Sequence, residues 1–156
     1  MDAPFAITDA IAAMPDAELA RAPAGVRQRL LDAGESALVR WVVAHGSEPT
    51  PDKVEGFRLL ALHRQAALRD PTFNACRETC RELVYQCNAA EASSDALERV
   101  RRLRMAAAVA THLFLFIDGK LENEKLGEFC CSSRPLRSQD TADAGAGARS
   151  PASAGG

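Results

Sequence analysis

Residues 92–120, "ASSDALERVRRLRMAAAVATHLFLFIDGK", constrain the fold more than any other part of the chain. Ser93 or Ser94 can cap a helix N-terminus and Asp95 suits the positive helix end, while Gly119 is a typical C-terminal stop before a shorter helix. The second half of the stretch is apolar on nearly every side of a helix, so it has no face suited to water. We therefore predict a long helix whose second half is the central element of a helical core.

The rest of the chain also carries helix signals, and only a few residues at a time show the alternating β-branched pattern of strands. At 156 residues the chain is long enough for one domain with its own core. We predict an all-α fold, a compact bundle of five to six helices in a single domain over residues 1–137. Residues 138–156, "SQDTADAGAGARSPASAGG", have almost no large apolar side chain and are predicted to form a disordered, low-complexity tail.

Glycine and proline place several helix boundaries. One helix ends at Gly34 and the next at Gly46, or a single longer helix is bent at Gly34. Thr50 and Pro51 together favour the start of another helix, which runs to about Arg69.

Three cysteines lie on one predicted helix, within "FNACRETCRELVYQC" at residues 73–87. Since each helical residue turns by ~100°, Cys76, Cys80 and Cys87 fall within about 40° of one another on one face. The apolar members of that face are Phe73, Leu83 and Val84, and the spacing is typical of a stripe that faces a core. Free cysteine often packs as a small buried hydrophobe, so the favoured interpretation of the three is core filling.

A second interpretation makes the cysteines ligands of a soft metal ion, Zn or Cu. Cys76 and Cys80 can bring two sulfurs to one ion, whereas Cys87 lies about 10 Å beyond Cys80 along the helix axis. The vicinal pair Cys130 and Cys131 can complete a site if the chain folds back onto this helix. The candidate metal ligands are therefore Cys76, Cys80, Cys87, Cys130 and Cys131, although their spacings match no zinc-finger pattern.

Redox chemistry is a third interpretation, because a thiol becomes reactive when a helix N-terminus or a cation lowers its pKa. Cys76 has Arg77 beside it, and it lies at a helix N-terminus if Asn74 is the cap. It loses that position if the helix begins at Asp70 and Pro71, the start that the sequence favours. The chain has five cysteines, so any intramolecular set of disulfides leaves at least one thiol unpaired.

The histidines are weaker candidates. His45 lies at a predicted helix end, where a cation is favourable, and His63 lies in mid-helix at the boundary of the core. His112 lies in an apolar run and is expected to be a core histidine rather than a ligand. Four arginines lie close together in sequence but point to different sides of a helix, which indicates a solvated face: Arg99, Arg101, Arg102 and Arg104.

Charge and hydropathy restrict the partners. The formal net charge is -2 and 5% of the residues are aromatic, so no polyanion patch or base-stacking platform is indicated and nucleic acid is disfavoured. The longest apolar run is shorter than the ~20 residues that span a bilayer. The N-terminus is acidic, unlike a secretory signal, and we expect a cytoplasmic protein that makes no membrane contact.

Catalysis has the least support among the function classes, because the sequence contains no phosphate-binding glycine loop, nucleophile elbow or metalloprotease motif. The first hypothesis is a small accessory or regulatory protein that contacts another protein or a second copy of itself and needs no cofactor. The alternative is a thiol-based protein that uses its cysteines to bind a soft metal ion or to sense redox state.

Overall fold

The computed structural model of the protein describes residues 3–133, with side chains at residues 4–124. Within these residues the all-α prediction is confirmed: the fold has six α-helices and one 3-10 helix, and no strand. The helices are α1 (Ala3–Ala13), α2 (Asp16–Arg21), α3 (Pro23–Ala44), α4 (Arg58–Arg69), the 3-10 helix (Pro71–Cys76), α5 (Arg77–Ala92) and α6 (Ala96–Ser133). The tail predicted at residues 138–156 lies outside the described part of the chain.

The chain divides into two compact units between Ile117 and Asp118. The first contains α1 to α5 and the beginning of α6, and the described part of the second is the rest of α6. The assignment of residues 1–137 to one domain stays a prediction.

An aromatic cluster joins several helices in the core of the first unit. The ring of Trp41, from α3, lies 4.5 Å from that of Phe73, in the 3-10 helix, measured between centroids. Phe73 in turn meets Phe116 of α6 edge to face, at 5.2 Å. Helix α3 also contacts α1, α2, α4 and α5.

Gly34 lies inside α3 and does not end a helix, so the first of the two predicted alternatives is wrong. A Cβ atom at this position would lie 2.9 Å from Cδ1 of Leu59, on α4. A larger residue at this position would force the end of the Leu59 side chain to shift, and the helical hydrogen bonds of α3 continue through Gly34 to Ala44.

The loop before α4 also corrects a prediction, because the helix begins at Arg58 and not at Thr50. Glu55 and Gly56 both have positive φ angles, 55° and 84°, which a right-handed helix cannot accommodate. They form a tight turn that is closed by two hydrogen bonds between the backbones of Val54 and Phe57.

Helix α6 starts slightly later than predicted, at Ala96, because its cap is Asp95 and not Ser93 or Ser94, and it also ends later. The Asp95 carboxylate accepts a hydrogen bond from the backbone N–H of Glu98 at 2.9 Å, which caps the N-terminus. The helix then continues through Gly119 to Ser133, so the predicted stop and the separate short helix after it are wrong. A glycine inside a helix costs about 1 kcal/mol relative to alanine, which a long helix tolerates.

The sequence predicts that the apolar half of α6 is buried on nearly every side. In the structure it is buried on one side only. Leu113 and Phe114 are fully buried, whereas Met105 and Leu115 are 48% and 57% exposed. No described helix combines the length and the hydropathy that are needed to cross a bilayer.

Three of the four arginines near the start of α6 hold helices together, which the prediction of a solvated face missed. Arg102 donates to the side-chain oxygen of Gln86, on α5, at 3.2 Å. Arg104 donates to the backbone oxygen of Met14 at 2.8 Å and to the Asp16 carboxylate at 2.6 Å, at the junction of α1 and α2. Arg99 donates to the backbone oxygen of Ala20. The bond to Ala20 satisfies a carbonyl in the last turn of α2, where a helix leaves its own carbonyls without partners.

Candidate functional site

Three side chains with metal-ligating atoms meet inside the first unit: His63, Cys76 and Cys80. One ring nitrogen and the two sulfurs all lie within 4.8 Å of one another, and all three residues are buried. His63 comes from the middle of α4, Cys76 is the last residue of the 3-10 helix, and Cys80 lies in the first turns of α5. We call this group the His/Cys cluster.

A short connection between α4 and α5 builds the cluster. The Asp70 carboxylate accepts hydrogen bonds from the backbone N–H of Thr72 at 3.0 Å and from its hydroxyl at 2.7 Å. These bonds and Pro71 start the 3-10 helix directly after α4. The chain therefore reverses within a few residues, and Cys76 returns to the level of His63.

The backbone oxygen of Phe73 orients the imidazole of His63, whose Nε2 lies 2.7 Å away. A carbonyl oxygen only accepts hydrogen bonds, so Nε2 carries a proton and Nδ1 is the unprotonated nitrogen of the neutral ring. Burial alone disfavours the charged ring, but the hydrogen bonds with Cys76 and with the Phe73 carbonyl outweigh it and raise the pKa of His63.

The two thiols of the cluster have opposite acidities. The hydrogen bond from Cys80 is the largest influence on Cys76 and, with the bond from His63 and its charge, outweighs burial and lowers the pKa of Cys76 to about 6. That same bond with Cys76, together with burial, raises the pKa of Cys80 well above its ordinary value. The pair therefore holds one thiolate readily, at Cys76, and resists a second.

Cys76 also occupies the N-cap position of α5, which corrects the sequence prediction. The chain becomes helical at Pro71, where the sequence favours a helix start. The segment that begins there is a 3-10 helix, however, and the α-helix begins at Arg77. In the thiol form, the Cys76 sulfur donates to the Phe73 backbone oxygen at 3.3 Å.

The other predicted ligands do not join the cluster in the described residues. Cys87 is fully buried on the same face of α5, where burial raises the pKa of its thiol to about 12. It lies seven residues, or about 10 Å, beyond Cys80. The side chains of Cys130 and Cys131 are outside the described part of the chain, so their return to this helix stays a prediction.

Sequence reasoning missed His63, which it placed at the boundary of the core. A signal was present: His63 is spaced four residues after Leu59 and three before Ala66, on the face of α4 that is buried. The expectation of a core histidine at His112 is wrong, because this residue is exposed. His45 is the C-cap of α3, where its Nδ1 lies 3.0 Å from the Trp41 backbone oxygen.

A cavity of about 410 Å³ adjoins the cluster, and His63 forms part of its wall. Three arginines also line it, Arg64 from α4 and Arg77 and Arg81 from α5. We call it the arginine cavity. It gives a route from solvent to the edge of the otherwise buried cluster.

The fold and the cluster together define an all-α protein with a buried site that offers two sulfur ligands and one nitrogen. Sulfur and imidazole ligands select soft or borderline ions, such as Zn²⁺ or Cu⁺, over Mg²⁺ or Ca²⁺. Comparison with family models, curated proteins and solved structures gives no match to the chain.

Proposed function

We propose that the protein binds a soft metal ion through the Cys76 and Cys80 sulfurs and a ring nitrogen of His63. Zn²⁺ is the ion that we propose. The observation that carries this proposal is the convergence of the three ligand atoms within 4.8 Å. In tetrahedral zinc sites the metal lies ~2.3 Å from sulfur and ~2.0–2.1 Å from nitrogen, which places the ligand atoms roughly 3.5–3.8 Å apart. Binding therefore needs the distances between the ligand atoms to shorten by at most about 1.3 Å.

Charge balance supports a divalent ion at this place. Two thiolates and one neutral imidazole carry a charge of about −2, and a divalent cation brings the buried group close to neutrality. The ion also replaces the proton that Cys80 holds in the metal-free protein, because coordination deprotonates a thiol.

The hydrogen bond between His63 and Phe73 supports the same assignment. A histidine that binds a metal through one ring nitrogen normally donates its other N–H to a carbonyl or a carboxylate. The backbone oxygen of Phe73 fills that role, at 2.7 Å from Nε2, and leaves Nδ1 as the ligand. Three protein ligands leave a fourth position for water or another small ligand, as in zinc sites that exchange a ligand.

Cobalt titration tests the proposal. Metal-free protein is titrated with Co²⁺ under reducing conditions, and thiolate-to-cobalt absorption is followed, with Zn²⁺ then added to displace the cobalt. We expect one equivalent of Co²⁺ to bind. The affinity should fall at least about a hundredfold in each of three variants, Cys76→Ser, Cys80→Ser and His63→Gln. This loss exceeds the usual effect of replacing a residue that only orients a metal ligand.

Cys87→Ala is the matched control, because it removes a buried thiol from the same helix face outside the cluster. It should bind cobalt like the wild type. Equal loss in Cys87→Ala and Cys80→Ser, with both variants folded by circular dichroism, would contradict the assignment, as would wild-type protein that binds no cobalt.

A second proposal is the accessory or regulatory role through protein contacts. It is supported by two large side chains that share the exposed side of α6, Met105 and Leu115, about 80° apart on the helix. We expect the purified protein to self-associate, and Leu115→Glu to shift it towards the monomer in light scattering. A wild-type monomer at every concentration would count against this role.

Redox sensing stays a third proposal for the same cysteines and uses the proximity of the Cys76 and Cys80 sulfurs. Metal bound to both thiolates would protect them from oxidation. Mass spectrometry after peroxide treatment separates the two ideas: an internal disulfide that forms equally fast with and without Zn²⁺ would favour redox sensing over metal binding.

A further inference from the structure

The arginine cavity has a charge pattern that the proposed metal site does not use. Arg64 and Arg77 are both exposed, and neither forms a hydrogen bond or an ion pair with another residue in the described part of the chain. Arg81 is held by two hydrogen bonds to the Glu55 carboxylate, at 2.7 and 3.1 Å. Two guanidinium groups are therefore available at one concave surface.

The charge of the cavity wall is net positive. Its lining residues include three arginines and a single acid, Glu78, so Arg64 and Arg77 leave a net positive charge even though Glu55 neutralises Arg81. Guanidinium groups are planar and donate two parallel hydrogen bonds, a geometry that matches a carboxylate or a phosphate. The cavity is therefore suited to an anion.

Beside its polar members, which include Asn74, the wall has an apolar part that can distinguish one anion from another. Leu60, Ala67 and Leu68 from α4 line it together with Val54 from the preceding turn. Leu68 is 81% exposed, so its side chain is open to contact with a ligand in the cavity. An aliphatic chain that covers it would remove apolar surface from water. The volume of about 410 Å³ lies within the usual range for small-molecule pockets.

We propose that the arginine cavity binds a small aliphatic carboxylate, with the carboxylate between Arg64 and Arg77 and the chain against Leu60 and Leu68. This site goes beyond the metal site and does not need a bound ion, because every residue that it uses lies outside the His/Cys cluster. Its failure and that of the metal proposal are therefore distinguishable in metal-free protein.

Calorimetric titration of the full, metal-free chain with hexanoate tests the proposal. Hexanol, which lacks the charge, and inorganic phosphate, which lacks the chain, are titrated in parallel. We expect saturable binding of one hexanoate, and binding at least about tenfold weaker for each of the other two, since each loses one of the two types of contact.

Variants locate the site. The double change Arg64→Gln and Arg77→Gln should weaken hexanoate binding at least about tenfold, and Leu68→Ser should weaken it by a smaller factor. Arg29→Gln is the matched control, because Arg29 is an exposed arginine that does not line the cavity. All four positions are exposed, so the variants should keep the wild-type circular dichroism spectrum.

Four results would overturn the proposal: no saturable hexanoate binding, equal binding of hexanol, equal binding of phosphate, or unchanged affinity in the folded double variant. Hexanoate binding that is lost in the double variant and kept in Arg29→Gln would support it.

Discussion

The two ends of the cysteine stripe, Cys76 at the N-cap of α5 and Cys87 within this helix, differ in chemistry although both are buried. At the N-terminal end, the pKa of Cys76 is lowered to about 6 through its hydrogen bonds with Cys80 and His63, against the effect of burial. Further along the same face, burial raises the pKa of Cys87 to about 12. All three cysteines are buried, so burial does not explain the difference.

The difference comes from what the facing elements supply. Cys76 and Cys80 meet a histidine from α4, and Cys76 also contacts the backbone carbonyl of Phe73 in the 3-10 helix, whereas Cys87 lies among the buried residues of α5. The position of a residue on a helix face decides whether it is buried, and the neighbouring helix decides what a buried thiol can do.

Thiol labelling gives the largest contrast between the two ends. Iodoacetamide reacts with thiolates, so in metal-free protein Cys76 should be labelled at least about a hundredfold faster than Cys87 at pH 7. The rate at Cys76 should rise as the pH rises and reach half its maximum near pH 6, because the lowered pKa keeps the thiolate present above about 6.

Peptide mass spectrometry after timed labelling measures both rates. Cys87 should be modified only as the protein unfolds, so its rate should follow the denaturant concentration. Equal rates at the two ends in native protein, or a Cys76 midpoint near pH 9, would break the comparison.

Serine substitution should affect stability unequally at the two ends. Cys87→Ser places a hydroxyl in apolar surroundings and should lower the free energy of unfolding by about 1–3 kcal/mol. Cys76→Ser should cost less, because the new hydroxyl can donate to the Phe73 backbone oxygen that the thiol already contacts.

Urea unfolding of metal-free protein measures both changes, with Cys87→Ala as the control for lost volume. If Cys76→Ser proves the more destabilising of the two, the polar environment that we assign to this end is wrong.

Replacement of His63 should change the pKa of Cys76 by a smaller amount than the contrasts above. It separates the contribution of His63 to this pKa from that of Cys80. His63→Leu removes one hydrogen bond and a positive charge, so the pKa of Cys76 should rise and its labelling midpoint should move to higher pH. The midpoint should stay below that of an ordinary thiol, because the larger contribution, from Cys80, is kept.

Labelling at several pH values measures the shift, and Cys87 is the internal reference within the same sample. An unchanged midpoint at Cys76 would show that His63 does not contact this thiol.

Much of the fold could be predicted from residue patterns, because helix faces and caps are local. The spacing of Cys76 and Cys80 placed them on one buried face. The start of α6 was predicted to within two residues, since Asp95 takes the capping role expected of Ser93 or Ser94. Local signals failed where they competed: Thr50 and Pro51 favour a helix start, but Glu55 and Gly56 take left-handed angles and delay it.

The site could be predicted only in part, because it depends on contacts between helices. The sequence gives no distance between α4 and α5, which the short 3-10 connection sets. Nor does it show that Gly34 lets α3 and α4 approach closely. His63 therefore joins Cys76 and Cys80 through tertiary structure that no spacing within one helix could reveal.

X-ray absorption spectroscopy at the zinc edge tests the central claim most directly. Metal-free protein loaded with one equivalent of Zn²⁺ should show two sulfur ligands at ~2.3 Å and two nitrogen or oxygen ligands at ~2.0–2.1 Å, with the multiple scattering of an imidazole ring. The Cys87→Ala variant should give the same spectrum. A zinc shell without sulfur, a shell with one sulfur, or a spectrum that changes in Cys87→Ala would contradict a metal site at His63, Cys76 and Cys80.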